Sequence, residues 1–159
     1  TLAAVHQDRR FQTLAAHIEK QQGLLASTPT IRPIDPDTEH LVTSRFDYRL
    51  SPFTNAREFH KGYDISAREG TPIYAAAAGT VTFAGDKGLL GKTVIIDHGH
   101  GLTTTYGHCS RILKVQGEKV RRWDPIALVG NTGSSTGPHL HYEVALHGVP
   151  VNPEKYFLN

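Results

Sequence analysis

Cysteine is nearly missing from this sequence. The single thiol, Cys109, rules out a disulfide within the chain, so no bridge-stapled scaffold can be built from it. Such a chain suits the cytosol, or an exported setting in which it is stable without bridges. Long apolar runs are missing too. No segment approaches the roughly 18 consecutive apolar residues of a membrane span, and no signal peptide stands at Thr1. The first residue is not Met, so we expect a fragment or a processed chain, with a membrane anchor or export signal upstream as an open option. Strong charge of one sign is also absent. A net charge of +2, with histidine neutral, lacks the dense basic footprint of a nucleic-acid binder, and no nucleic-acid partner is expected. No internal repeat is visible, which sets repeat architectures aside.

What is present divides by texture. With 159 residues there is room for one ordinary domain and an appendage, and 38% hydrophobic content is enough for a core. Residues 2–26 lack proline and hold one glycine, Gly23. Ala4, Phe11, Ile18 and Leu25 recur every seven residues, while Leu14 shares the other core position of that heptad with Gln7 and Gln21. This spacing predicts a helix, either with a weak coiled-coil seam or lying on its own domain. Three prolines between Ser27 and Pro36 then predict a linker. From Leu41 onward short β-rich runs such as "TPIYAAAAGTVTFAG", "GKTVIIDHG" and "PHLHYEVALHG" alternate with glycine and proline. Such runs predict an all-β, mostly antiparallel domain, with hairpin turns at "IDHGHG" and "ALHGVPV". The expected organisation is an N-terminal helix over residues 1–28, a Pro-rich linker over 29–40 and a β-domain over 41–159.

Ten histidines are many for this length, and several stand in patterns. His139 and His141 flank Leu140, so on a strand both point to one face. They could share a metal, or one could bind it while the other works beside it. His60 and Asp64, in "FHKGYDIS", are also an even number apart. On one straight strand their Cα atoms would stand roughly 13 Å apart, and Gly62 between them lets the backbone bend. His108 follows a Thr-rich strand near a turn. His98 and His100 flank Gly99 in a turn and read as structural, and His6, His17, His40 and His147 carry no motif. Together His60, Asp64 and His141 supply two nitrogens and one carboxylate, a ligand set suited to one catalytic zinc ion with a fourth position open. His139 and His108 remain as imidazoles for proton transfer and oxyanion support.

These residues carry a family pattern. "HKGYD" resembles the H-x-x-x-D motif and "PHLHYEV" the H-x-H motif of the lysostaphin-type (LytM-like, M23) zinc peptidases. "TSRFDYRLSPFT", "GTPIYAAAAGTVTFAG", "VIIDHGHG", "TTYGHCS", "GNTGSSTGPHLHYEV" and "VPVNPEKYF" resemble further family segments, in family order, across roughly residues 41–158. The resemblance implies a compact antiparallel β-sheet peptidase domain with a groove over the sheet. It implies zinc ligands at His60, Asp64 and His141 and a catalytic pair at His108 and His139. It implies peptide bonds of bacterial peptidoglycan as substrate, with D-alanyl–diaminopimelate cross-links the expected target, and a periplasmic or envelope location. The N-terminal helix and linker resemble members in which a coiled coil leads into the peptidase, so a homo-oligomer or a regulator bound through the helix is a further expectation.

Four residues, at three places, depart from the family pattern. Asp47, in "RFDYR", stands where glycine is usual. Trp123 and Asp124 occupy a turn that usually carries glycine, which predicts a surface contact or local repacking. Cys109 stands where leucine is common and is expected to pack as a small apolar side chain, with no nucleophilic role beside His108. Glu143, two residues beyond His141, reads as a solvent-facing residue, a partner for a histidine, or a general base. The alternative function is a LytM-like regulator that has lost metal ligands and activates other wall hydrolases. Here all five matching positions are filled.

Overall fold

The computed structural model describes residues 2–159, apart from the side chains of Leu2, Ala3 and His6; Thr1 and the His6 side chain thus lie outside the described residues. Helix α1 (Leu2–Ala26) is followed by twelve strands. These are β1 (His40–Ser44), β2 (Asp47–Leu50), β3 (Arg57–His60), β4 (Tyr63–Ala67), β5 (Pro72–Tyr74) and β6 (Gly79–Asp86). The chain continues with β7 (Lys92–Gly99), β8 (Leu102–Ile112), β9 (Lys119–Val120), β10 (Pro125–Val129), β11 (His139–Leu146) and β12 (Val149–Val151). Ten strands form one sheet, with the path β1-β4-β11-β8-β7-β6-β9 and with β12, β10 and β5 joined beside it. β2 and β3 form a separate hairpin. Each described strand pair is antiparallel, as the sequence predicts.

The predicted hairpin turns lie between β7 and β8 and between β11 and β12. At the second, His147 and Gly148 have φ of 49° and 79°, the positive pair that lets a two-residue turn follow the strand twist. Trp123 has φ of 71°, the region glycine favours, which explains why glycine suits that turn and makes tryptophan there a departure. Its ring packs edge-on against Tyr74 at 5.6 Å.

The core comes from the alternation of the central strands. On β11, Leu140, Tyr142 and Val144 are fully buried, and the odd-numbered residues between them face the other way. Ile65, Val94, Ile96, Tyr106, Ile126 and Val129 join them from neighbouring strands.

Helix α1 does not lie on this domain. Each described side chain from Ala4 to Ala26 is exposed, including Phe11 at 72% and Leu25 at 56%. Its C-terminal end is fastened to the β-domain. The Arg122 guanidinium donates to the carbonyls of Leu25 (2.6 Å) and Thr28 (2.9 Å), and Ala78 N–H donates to that of Ala26 (2.9 Å). These bonds satisfy carbonyls that a helix end leaves without partners. Among the described residues no helix is long and apolar enough to cross a membrane.

The stretch predicted as a linker is divided. Ile31 and Ile34 are buried and belong to the core, and Thr30 is buried beside them. The Pro33 carbonyl accepts from Tyr74 N–H (2.8 Å), and the Thr30 carbonyl from Leu158 N–H (2.7 Å). The packed unit therefore begins near residue 29, not at 41. Without strand or helix periodicity, the two isoleucines of this segment give no sequence signal of burial.

Candidate metal centre and active site

Strand register assembles most of the site. Asp64 on β4 stands directly opposite His141 on β11, and His141 stands opposite Gly107 on β8, next to His108. His139 lies two residues before His141 and so shares its face. His60 arrives from elsewhere, at the end of β3 in the separate hairpin. Lys61 and Gly62 carry the chain from that hairpin into the main sheet. His60 and Asp64 therefore sit on two strands of different sheets, where the sequence suggested one bent strand. The break brings His60 Nε2 to 3.2 Å from Asp64 Oδ2. Gly62 has a second reason to be glycine: a Cβ there would lie 2.5 Å from His141 Cε1 and 2.7 Å from its Nε2.

The ligand atoms of His60, Asp64 and His141 all lie within 4.8 Å of one another, and the three residues are buried. His60 Nδ1 is 3.0 Å from the Arg45 carbonyl, which fixes a proton on that nitrogen. Nε2 is buried and, despite its closeness to Asp64, has no hydrogen-bond partner among the described residues. A lone pair then faces a carboxylate oxygen, an arrangement that a cation between them relieves. His141 Nδ1 is 2.7 Å from Asp64 Oδ1, and its Nε2 is 2.9 Å from Glu143 Oε1. Burial would lower the His141 pKa, but these two carboxylates outweigh it and raise it to about 9. Burial likewise opposes ionisation of Asp64, yet the hydrogen bond from His141 and the charge of that ring hold it far below the usual carboxylate range. Two imidazoles and one ionised carboxylate around one point fit zinc, whose binding would displace the proton from His141 Nδ1.

The other two histidines are held apart from this set. His108 has φ of 61°, and its Nδ1 is 2.7 Å from the Thr132 carbonyl. Burial lowers its pKa and favours the neutral ring, so the proton sits on Nδ1 and Nε2 is bare. His139 Nδ1 is 2.8 Å from the Gly137 carbonyl, which leaves Nε2 available in the same way. The two rings stand 4.7 Å apart, and His108 is 6.0 Å from His141.

Arg49 completes the site and had no role in the sequence reading. Its Nη1 donates to Ser44 Oγ (2.8 Å) and Asp64 Oδ2 (3.2 Å), and its Nε to Glu58 Oε1 (3.3 Å). Only the pairing of the β2–β3 hairpin aims it there, and the sole sequence clue is its place in a family segment. Cys109 is fully buried with its thiol pushed up to about 12, which removes it as a nucleophile. His98 is a structural residue of the core, and His100 and His147 occupy turns with positive φ.

The metal cluster and the histidine pair line an open groove of about 830 Å³. Leu50, Phe53 and Phe59 of the hairpin segment form one wall, and Leu89 and Pro138 contribute from facing loops.

Three comparisons bear on this arrangement. The chain is 45% identical over 120 residues to "DD-carboxypeptidase/endopeptidase Mpg" of Neisseria meningitidis serogroup B, covering 76% of this chain and 28% of that protein. It is 42% identical over 120 residues to "Peptidoglycan DD-endopeptidase ShyA" of Vibrio cholerae, covering 75% of this chain and 28% of the relative. This chain thus spans little more than a quarter of these curated relatives. Among solved structures it resembles a zinc-containing peptidase from Vibrio cholerae with a TM-score of 0.71 and 34% identity, over 79% of this chain and 38% of the other. The profile of Peptidase family M23 matches residues 58–153, a span that takes in all five side chains of the cluster and the pair, and the chain belongs to that family.

Proposed function

We propose that this chain is a zinc-dependent endopeptidase domain that hydrolyses peptide bonds of peptidoglycan, with D-alanyl–diaminopimelate cross-links as its target. The observation that carries the reading is the pairing of a buried His60–Asp64–His141 cluster with two further histidines, 4.7 Å apart, that face the same groove. The names of the relatives from Neisseria and Vibrio support the bond type. The regulator alternative is not favoured, because it rests on lost ligands and none of the five positions is lost.

In this reading His60, Asp64 and His141 would hold one zinc ion, which would supply Lewis-acid polarisation of a carbonyl and a lowered pKa for water. His108 and His139 each present an imidazole to the groove. One takes a proton as the nucleophile attacks, and either can return one to the departing amine. Once protonated, a ring donates to the oxyanion that develops on the scissile carbonyl. The apolar wall of Leu50, Phe53 and Phe59 holds the peptide against the sheet and limits water around it. A substrate of this kind places the enzyme in the bacterial envelope or periplasm. The exposed stripe of α1 would serve a coiled-coil partner, either a second copy or a regulator.

Mass spectrometry of purified peptidoglycan tests the function. The zinc-loaded chain should convert cross-linked muropeptide dimers to monomers, a chelator should stop it, and added zinc should restore it. An unchanged dimer fraction would overturn the reading.

A further inference from the structure

His141 carries the one ligand ring of this cluster with a carboxylate on each nitrogen. Asp64 stands at Nδ1, at 2.7 Å, and Glu143 at Nε2, at 2.9 Å. Glu143 lies two residues along β11 from His141, on the same face, and its side chain is only 14% exposed. A neutral imidazole has one proton to place, and only the nitrogen without it can bind a metal. An ionised carboxylate accepts and cannot donate. Once a cation takes the place of the proton between Nδ1 and Asp64, the one remaining ring proton stays at Nε2, on Glu143, and the Nδ1 lone pair is the one turned toward Asp64 and His60. The ring has little freedom to turn away, because Gly62 lies against its Cε1 and Nε2 on another side.

We propose that Glu143 is the positioning residue of the metal centre. It fixes the tautomer and orientation of His141 so that Nδ1 is the metal-binding atom, and it adds a negative charge close to the cation. Its carboxylate is engaged by the ring and takes no proton from the reacting water. This inference rests on the ligand reading of His60, Asp64 and His141, and its test separates the two.

Apo protein is titrated with zinc against a competing fluorescent chelator, for the unsubstituted chain, Glu143→Ala and Glu143→Gln. Far-UV circular dichroism and a melting curve monitor folding in each. Glu143→Ala should bind zinc roughly 10–100-fold more weakly, the range for loss of such an outer partner. Glu143→Gln, whose amide oxygen still accepts from Nε2–H, should recover most of that loss. Long-range ¹H–¹⁵N spectra of the zinc form should show His141 protonated at Nε2 in the unsubstituted chain and in Glu143→Gln. Unchanged zinc affinity in Glu143→Ala, within twofold, overturns the inference. So does unchanged affinity with lost turnover in Glu143→Gln, which would place Glu143 on the reacting atoms. If the unsubstituted chain binds no stoichiometric zinc, the ligand reading itself fails.

Discussion

His108 and His139 face the same groove as the metal cluster, yet each is oriented by a backbone carbonyl of the loop before β11, Thr132 for one and Gly137 for the other. Their separation from the ligands leads to a divided outcome on substitution. His60→Ala should abolish both zinc binding and turnover, because it removes a buried ligand. His139→Ala and His108→Ala should keep stoichiometric zinc and lower kcat by about 10²-fold or more, the usual scale of general acid–base contributions. Metal analysis of the purified variants beside their rates checks this, and loss of zinc from either of the latter two would reassign it as a ligand.

Gly62 shows what an element junction contributes. It joins β3 of the hairpin to β4 of the main sheet and has no Cβ where His141 needs space. Gly62→Ala places a carbon 2.5 Å from a ring atom and 2.9 Å from the Tyr142 carbonyl, closer than real contacts allow. Overpacking of this kind costs about 1–3 kcal/mol, and here the yielding part is the ring of a proposed ligand. The expected result is a lowered melting temperature together with at least tenfold weaker zinc binding. A variant that melts lower but binds zinc as before would mean that the sheet yields and the ring does not. The alternation of "HLHYEV" was readable because strand period alone puts His139, His141 and Glu143 on one face. The break between His60 and Asp64 was not readable, since nothing local to "HKGYD" says that its two ends join different sheets.

At the scale of the whole molecule, the packed unit begins before the strands do. Removing residues 1–40 strips Ile31 and Ile34 from the core, and each fully buried aliphatic side chain contributes about 1.5–3 kcal/mol. Their sum is a large share of the 5–15 kcal/mol that stabilises a typical domain. A chain starting at Leu41 should therefore unfold at markedly lower denaturant than one starting at Ser27, which should fold, bind zinc and retain activity. Equal denaturation midpoints would restore the boundary at 41. A pH dependence belongs to this scale too. His98 is buried between the Ala78 carbonyl (2.7 Å) and the Thr104 hydroxyl (2.7 Å), and burial lowers its pKa from 6.5. Below about pH 6.5 the unfolded chain takes up a proton that the folded chain resists, so stability falls as the pH drops through that value. Urea unfolding at pH 7.5 and 5.5, with saturating zinc, should show a larger loss for the unsubstituted chain than for His98→Gln.

The sequence by itself determined the fold class and which residues could take part in the chemistry. Hydrophobic alternation and turn residues act locally, and the two motifs place the candidate metal ligands at even spacing along β-rich runs. Tertiary structure decided what depends on distant neighbours. Arg49 reaches Asp64 only because the hairpin folds beside the main sheet, and His60 meets Asp64 across a change of sheet. The two carboxylates that flank the His141 ring belong to the same class. Asp64 lies on the adjacent strand and Glu143 on its own, and only strand register places one on each side of the ring. Residues 30–34 enter the core through contacts with Tyr74 and the C-terminal segment, partners more than 35 residues away that no local pattern can announce.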